Sequence, residues 1–224
     1  ELMEAGVKAS TFNIHQAGIR FFFAVTLNRS MNYLQMPQLK EKRALPEILS
    51  REEIGQLLEK CGNLKHKAMF ALAYGSGLRV SEICRLRVKD IDSKQMRVFV
   101  QDGKGGKDRY TVLSRSCLEI LRDYWRAYRP QHPEGWLFVG LGGHTHTTRG
   151  AVSLALDKWL REAGISRHVT VHSLRHAFAT YLLEDGVDIF TIKELMGHRS
   201  ITSTTLYLRL VNLKVKSPAD TYGH

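Results

Sequence analysis

The chain has 224 residues, with 33 Lys and Arg against 22 Asp and Glu, so its net charge is +11. At a nominal ~150 residues per domain this is one full domain plus part of another, or one large domain, long enough to bury a core unaided. The positive surplus points to a polyanionic partner, nucleic acid first.

The three cysteines, Cys61, Cys84 and Cys117, are odd in number, 23 and 33 residues apart, and form no Cys-x-x-Cys pair. A disulfide framework and a Cys-based zinc site are excluded as organising principles, and buried reduced thiols in a cytoplasmic protein are expected. No apolar run reaches the ~18 residues of a membrane span. The start, Glu1-Leu2-Met3-Glu4, lacks the basic and apolar regions of a signal peptide. It also lacks an initiator Met, and a trimmed chain is expected.

In chain order, residues 8–29 read as one amphipathic helix whose Ile19-Arg20-Phe21-Phe22-Phe23 run is too apolar to stand alone in water. Residues 36–47, with Pro37, Pro46 and the charged run Lys40-Glu41-Lys42-Arg43, read as a linker. Ser50-Arg51-Glu52-Glu53 is a capping box that opens a helix to about Lys60. A second helix over 64–74 stops at Gly75, and a glycine turn leads to a third over 80–87. The period then changes. Met96–Val100 and Arg109–Leu113 read as two strands of a hairpin around a Gly-rich tip. Ser114 caps a helix over 115–129, which Pro130 follows. Trp136–Val139 is the expected third strand. Helices are expected over 149–163, 173–185 and 188–196, each closed by a glycine, and a last helix over 201–209. The fold class is mainly α with a small antiparallel β-sheet.

Taken singly, the candidate functional residues have ordinary explanations. Arg79 follows a glycine turn at a helix start, where an anion is welcome, but it also pairs at i,i+3 with Glu82. Lys104, between glycines in the hairpin tip, can approach a substrate closely and give up a proton if nearby cations lower its pKa; an exposed turn lysine is the commoner case. The tip is no P-loop, because Asp108 follows Lys107. His172, Arg175 and His176 share one face at a helix start. No Glu follows His172 as a metalloprotease helix requires, and His144 and His146 have no further ligands near them in sequence, so no metal is expected. His198 lies beyond a glycine stop. Tyr207 is a nucleophile only if a base takes its proton and cations stabilise the phosphorane.

The order Gly-Leu-Arg-Val-Ser-Glu, Gly-Lys-Gly, His-Ser-Leu-Arg-His, Met-Gly-His and Tyr resembles the tyrosine recombinase (phage integrase) family, most nearly its Xer-like and integron-type branch. Arg175 to His198 is 23 residues and His198 to Tyr207 is 9, as the family pattern has them. The resemblance covers 48–210, the family's catalytic domain with its DNA breaking-rejoining fold. It makes 1–36 a remnant of the N-terminal core-binding (SAM-like) domain, 37–47 the linker and 211–224 the C-terminal tail.

The resemblance implies strand cleavage and rejoining through a 3′-phosphotyrosine on Tyr207, without metal, ATP or other cofactor. It gives Arg79 and Arg175 the phosphate oxygens and Lys104 the departing 5′-oxygen. His172 becomes general base or proton relay, and His198 a hydrogen bond to the phosphate. Its partners would be double-stranded DNA and three further copies, a homotetramer on two sites. Residues 79–129 hold 13 Lys or Arg against 7 Asp or Glu, and Arg85, Arg87, Lys107 and Arg109 are the expected backbone contacts. Two competing functions stand beside recombination: type IB topoisomerase-like strand relaxation, and a DNA-binding remnant of a mobile element that no longer cuts.

Overall fold

A computed structural model describes Val7, residues 9–28, Leu39, 47–101 and 108–211. The expected linker lies almost wholly outside the described residues, as do Lys104, Lys107 and 212–224. The chain divides into two units, Glu1–Ala44 and Leu45–His224.

In the first unit, helix α1 (Ala9–Phe21) widens into one π-helical turn over Phe22–Thr26 and ends at Asn28, whose φ is +48°. Asn13 accepts from the Leu39 N–H at 3.1 Å and donates to its carbonyl at 3.0 Å, tying the helix to a distant residue of the same unit. Ile14, Phe21, Phe22 and Val25 are exposed.

The second unit is built around α3 (Leu64–Gly75). Asn63 caps it by accepting from the His66 N–H at 3.1 Å, and Ala68 to Ala73 are all buried. A helix apolar on every side belongs at the centre, and α3 packs against both α5 and α7. Helix α2 (Arg51–Lys60) starts at the expected capping box: Ser50 accepts from the Glu53 N–H at 3.1 Å, and Glu53 accepts from the Ser50 N–H at 2.7 Å. Helix α5 (Arg115–Tyr128) buries Cys117, Leu118, Leu121 and Tyr124, an i, i+1, i+4, i+7 stripe, and closes on Arg129 at φ +39° before Pro130. Helix α6 (Arg149–Glu162) is capped by Thr148, and α8 (Ile189–Met196) by Asp188, which accepts from two backbone N–H groups. Helix α7 (Val171–Glu184) begins two residues before the expected start, because Thr170 and Ser173 cap it reciprocally. The three cysteines are buried and unpaired, as expected.

Three expectations need correction. The third strand is β1 (Ile91–Asp92), not Trp136–Val139. The sheet order is β1-β2-β3, with β2 (Arg97–Val100) antiparallel to both β1 and β3 (Arg109–Val112). Trp136 and Val139 make only single bridges, to Arg87 and His146. A two-residue strand shows no alternation in sequence, and its presence depends on Asp92, whose carboxylate accepts from the N–H groups of Lys94 and Gln95 and turns the chain back. Helix α4 (Val80–Cys84) is shorter than expected, giving way to a 3₁₀ turn over Val88–Asp90. The expected last helix is two 3₁₀ turns, Ile201–Ser203 and Tyr207–Arg209. Ser200 and Thr205 engage neighbouring backbone groups there, which competes with helical hydrogen bonding.

Candidate active site

The site is organised by a carboxylate. Glu82 lies in α4, and its oxygens receive four hydrogen bonds from two arginines. Arg79 donates from its backbone N–H and from Nη1, each at 2.7 Å. Arg109 donates from Nη1 and Nη2 at 2.9 Å, a two-pronged pairing. A third guanidinium, that of Arg175, stands 3.7 Å away. Burial alone would push the Glu82 carboxyl up, but the hydrogen bonds and charge of Arg109, the Arg79 N–H and the charge of Arg175 outweigh it and hold it at about 2. Glu82 therefore stays ionised and fixes two arginines directly.

Three backbone carbonyls hold Arg79 and Arg175. Arg79 Nη2 donates to the Gly197 carbonyl at 3.0 Å. Arg175, only 2% exposed, donates from Nη1 to the Gly77 carbonyl and from Nη2 to the Met196 carbonyl at 2.5 Å. Burial pulls its guanidinium down to about 9, still protonated at neutral pH. Both glycines are required. Gly197 closes α8 at φ +60°, and a Cβ there would meet the Arg109 side chain at 2.8 Å. Gly77 has φ +63°, and a Cβ would lie 2.4 Å from the Phe178 ring. Gly77→Ala is expected to cost roughly 2–4 kcal/mol from backbone strain and overpacking together, and urea denaturation of the variant measures it.

Tyr207 is 1% exposed and opens the last 3₁₀ turn, packed on α7. Its hydroxyl lies 3.0 Å from His176 Nδ1. Burial pushes the phenol up to about 12, against the pull of Arg175 and Arg79, so it is protonated at rest. The His198 ring stacks on Tyr207 with centroids 6.3 Å apart and planes 12° from parallel. His198 Nδ1 is 2.9 Å from the Thr204 hydroxyl, a buried group that sets the ring's orientation. Burial first, then the charges of Arg175, Arg79, His176 and Arg109, bring His198 down to about 3 and keep it neutral. His172 is exposed one turn before His176, with ring centroids 5.7 Å apart.

Arg79, His172, Arg175, His198 and Tyr207, picked out in sequence across 129 positions, thus line one cleft of about 310 Å³ together with His176, Arg199 and Ser203. Lys104 and Lys107 lie outside the described residues. Arg85 and Arg87 line an adjoining hollow of about 400 Å³ that also includes Arg79, Phe99 and Trp136. Arg85 is exposed, and the Arg87 guanidinium sits 4.8 Å over the Trp136 ring. Arg109, expected among the DNA contacts, is turned inward instead. Besides Glu82 it donates from Nε to the Leu195 carbonyl at 2.9 Å, because β3 lies against α8.

Sequence reasoning passed over Glu82, His176 and Thr204. Glu82 was visible as the i,i+3 partner of Arg79 but read as a surface pair; its side chain is 7% exposed. His176 was visible on the face of His172 and Arg175, without a sign that it meets Tyr207. No local signal marks Thr204.

The arrangement concentrates fixed positive charge, neutral imidazoles and one buried phenol, a set suited to phosphoryl transfer to tyrosine. The chain matches the phage integrase family over residues 47–212. A Sinorhizobium fredii protein named as an integrase/recombinase is 46% identical over 213 residues, covering 95% of this chain and 68% of the relative. The tyrosine recombinase XerD of Oceanobacillus iheyensis is 35% identical over 237 aligned positions, covering 99% of this chain and 78% of the relative. A crystal structure of XerA recombinase superposes with a TM-score of 0.69 at 27% identity, over 89% of this chain and 79% of that one. The chain belongs to the phage integrase family, the tyrosine recombinases, and is a site-specific recombinase that cleaves and rejoins DNA.

Proposed function

We propose that Tyr207 attacks a scissile phosphate of duplex DNA, forming a 3′-phosphotyrosine and releasing a 5′-hydroxyl strand. Arg79 and Arg175 bind the non-bridging oxygens and offset the charge that builds on them. Their geometry costs nothing at the moment of reaction, because Glu82 and the carbonyls of Gly77, Met196 and Gly197 already hold them. His198 donates from Nε2 to the phosphate, since the Thr204 hydroxyl engages its Nδ1. Lys104 protonates the departing 5′-oxygen, and His172 passes protons at the rim of the cleft. Arg85 and Arg87 hold neighbouring phosphates along the adjoining hollow, and Lys107 holds a further backbone phosphate. Arg109 serves as the clamp on Glu82. The phosphotyrosine keeps the energy of the phosphodiester, so rejoining needs no nucleotide.

The observation that carries this reading is the placement of the Tyr207 hydroxyl, against an imidazole, in the cleft that Arg79 and Arg175 line. Covalent capture tests it. The protein is mixed with fragmented DNA of its source, denatured, and the protein-linked DNA is sequenced. Adducts sharing a sequence are expected. Adducts without a shared sequence would favour strand relaxation of the type IB topoisomerase kind, and no adduct would favour a binding-only remnant.

The unit that recombines is a homotetramer spanning two duplexes, with residues 48–210 as the catalytic domain and 211–224 docking on a neighbouring copy. Light scattering of protein with its site is expected to give four protomers and two duplexes. Deleting 211–224 is expected to leave single-site cleavage and to reduce two-site recombination; unchanged recombination by the deletion variant refutes the docking role.

A further inference from the structure

Tyr207 must shed a proton as its oxygen approaches phosphorus, and the geometry points to His176 as the group that takes it, through Nδ1. This rests on the reading of Tyr207 as nucleophile. The Nδ1 to hydroxyl distance is 3.0 Å, within the reach a general base needs before any substrate arrives. The two rings meet at 5.7 Å and 53°, with His176 fixed in the middle of α7 and Tyr207 buried. The groups that face His176 are His172 and Arg175 on α7, and His198 and Tyr207 from the segment after α8.

Burial, then the charges of His172 and Arg175, lower the His176 imidazole to about 4, so it is neutral near pH 7 and has a lone pair to offer. With its proton on Nε2, the Tyr207 hydroxyl donates to Nδ1. The gap between about 4 and about 12 keeps the phenol protonated at rest, which protects the nucleophile from acting without substrate. A bound phosphate changes this balance. Its negative charge, growing toward the phosphorane, faces the same arginines and favours the imidazolium.

The step balances. The Tyr207 O–H bond breaks and the proton passes to His176 Nδ1 while the phenolic oxygen bonds to phosphorus. The P–O5′ bond breaks, and its electron pair leaves on the 5′-oxygen, which is protonated by Lys104. In rejoining, the 5′-oxygen bonds to phosphorus as its proton passes back to the neutral Lys104 amine, the P–O bond to Tyr207 breaks, and the imidazolium returns its proton to the tyrosine oxygen.

The test compares His176→Asn with wild type in single-turnover cleavage. The Asn side-chain oxygen stands where Nδ1 stood and still accepts the tyrosine's hydrogen bond, yet it is no base. Melting temperature and DNA affinity are expected to stay near wild type, while cleavage falls about 100-fold or more. A 5′-bridging sulfur at the scissile position, a leaving group that needs no acid, is expected to rescue Lys104→Ala and not His176→Asn. Should the Asn variant fold poorly, His176→Ala is used, and added imidazole is expected to restore cleavage in proportion to its concentration. His176→Asn cleaving within a few-fold of wild type, rescue of it by the sulfur, or an Ala variant indifferent to imidazole overturns the assignment. Those results leave the Tyr207 adduct of the wild type in place. Absence of that adduct in wild type is the separate failure, that of the nucleophile itself.

Discussion

Replacing Tyr207 by Phe is expected to remove covalent capture of DNA altogether, a loss of roughly 10⁴-fold or more, since no other hydroxyl takes over a deleted nucleophile. The substitution removes one oxygen atom. The ring stays packed on α7 and beside His198, and the fold forgoes one hydroxyl–imidazole hydrogen bond, worth about 1 kcal/mol. The variant should therefore melt close to wild type and bind DNA as tightly, with no protein-linked DNA after denaturation. A Tyr207→Phe protein that still yields adducts would move the nucleophile elsewhere. This variant also separates chemistry from binding, because Arg79, Arg175 and His198 all remain.

Glu82→Gln is expected to damage stability and activity together. The amide keeps the shape of the side chain but removes the negative charge that Arg79, Arg109 and Arg175 share. Three guanidiniums are then left facing one another in a poorly solvated cluster, and removing one partner of such a buried set costs about 3–5 kcal/mol. The depressed carboxyl leads to a similar figure. A fall from the ordinary 4.5 to about 2 corresponds to roughly 3 kcal/mol at neutral pH.

The sign of the pH dependence follows. Glu82 binds its proton less readily folded than unfolded, so its contribution is complete above about pH 4.5 and disappears as the pH falls toward 2. The stability difference between wild type and Glu82→Gln, measured by urea denaturation, should be largest at pH 7 and shrink through that window. A difference that does not change with pH would show that Glu82 acts by packing alone. Cleavage should fall by about 10²–10³-fold, the loss expected when oxyanion donors lose their fixed orientation.

The elements that were legible in sequence are those whose cause is local. Ser50 with Glu53, Asn63, Ser114 and Asp188 each satisfy backbone N–H groups within three residues of themselves, so a short window suffices to place α2, α3, α5 and α8. The glycine stop at Gly197 and the β2–β3 hairpin are local in the same sense. The elements that were misplaced depend on distant partners. Strand β1 exists by pairing Ile91 with Val98, and Trp136 finds a bridge to Arg87, 49 residues earlier, in place of a sheet. The threonine-rich segment before Tyr207 has helical spacing, yet its side chains and its packing on α7 turn it into 3₁₀ geometry.

The candidate site divides along the same line. Sequence alone determined which residue types are present and in what order: two arginines, two histidines and a tyrosine at spacings that a known family shares, on a basic chain. Only the tertiary structure decided how they are charged and what they touch. Burial and close approach set the protonation of Glu82, His176, His198 and Tyr207, and neither is readable from spacing. The same packing turned Arg109 from an expected DNA contact into an internal clamp and brought His176, 31 residues distant in the chain, to the hydroxyl of Tyr207. A side chain's reach is local, but its electrostatic surroundings are assembled from the whole fold.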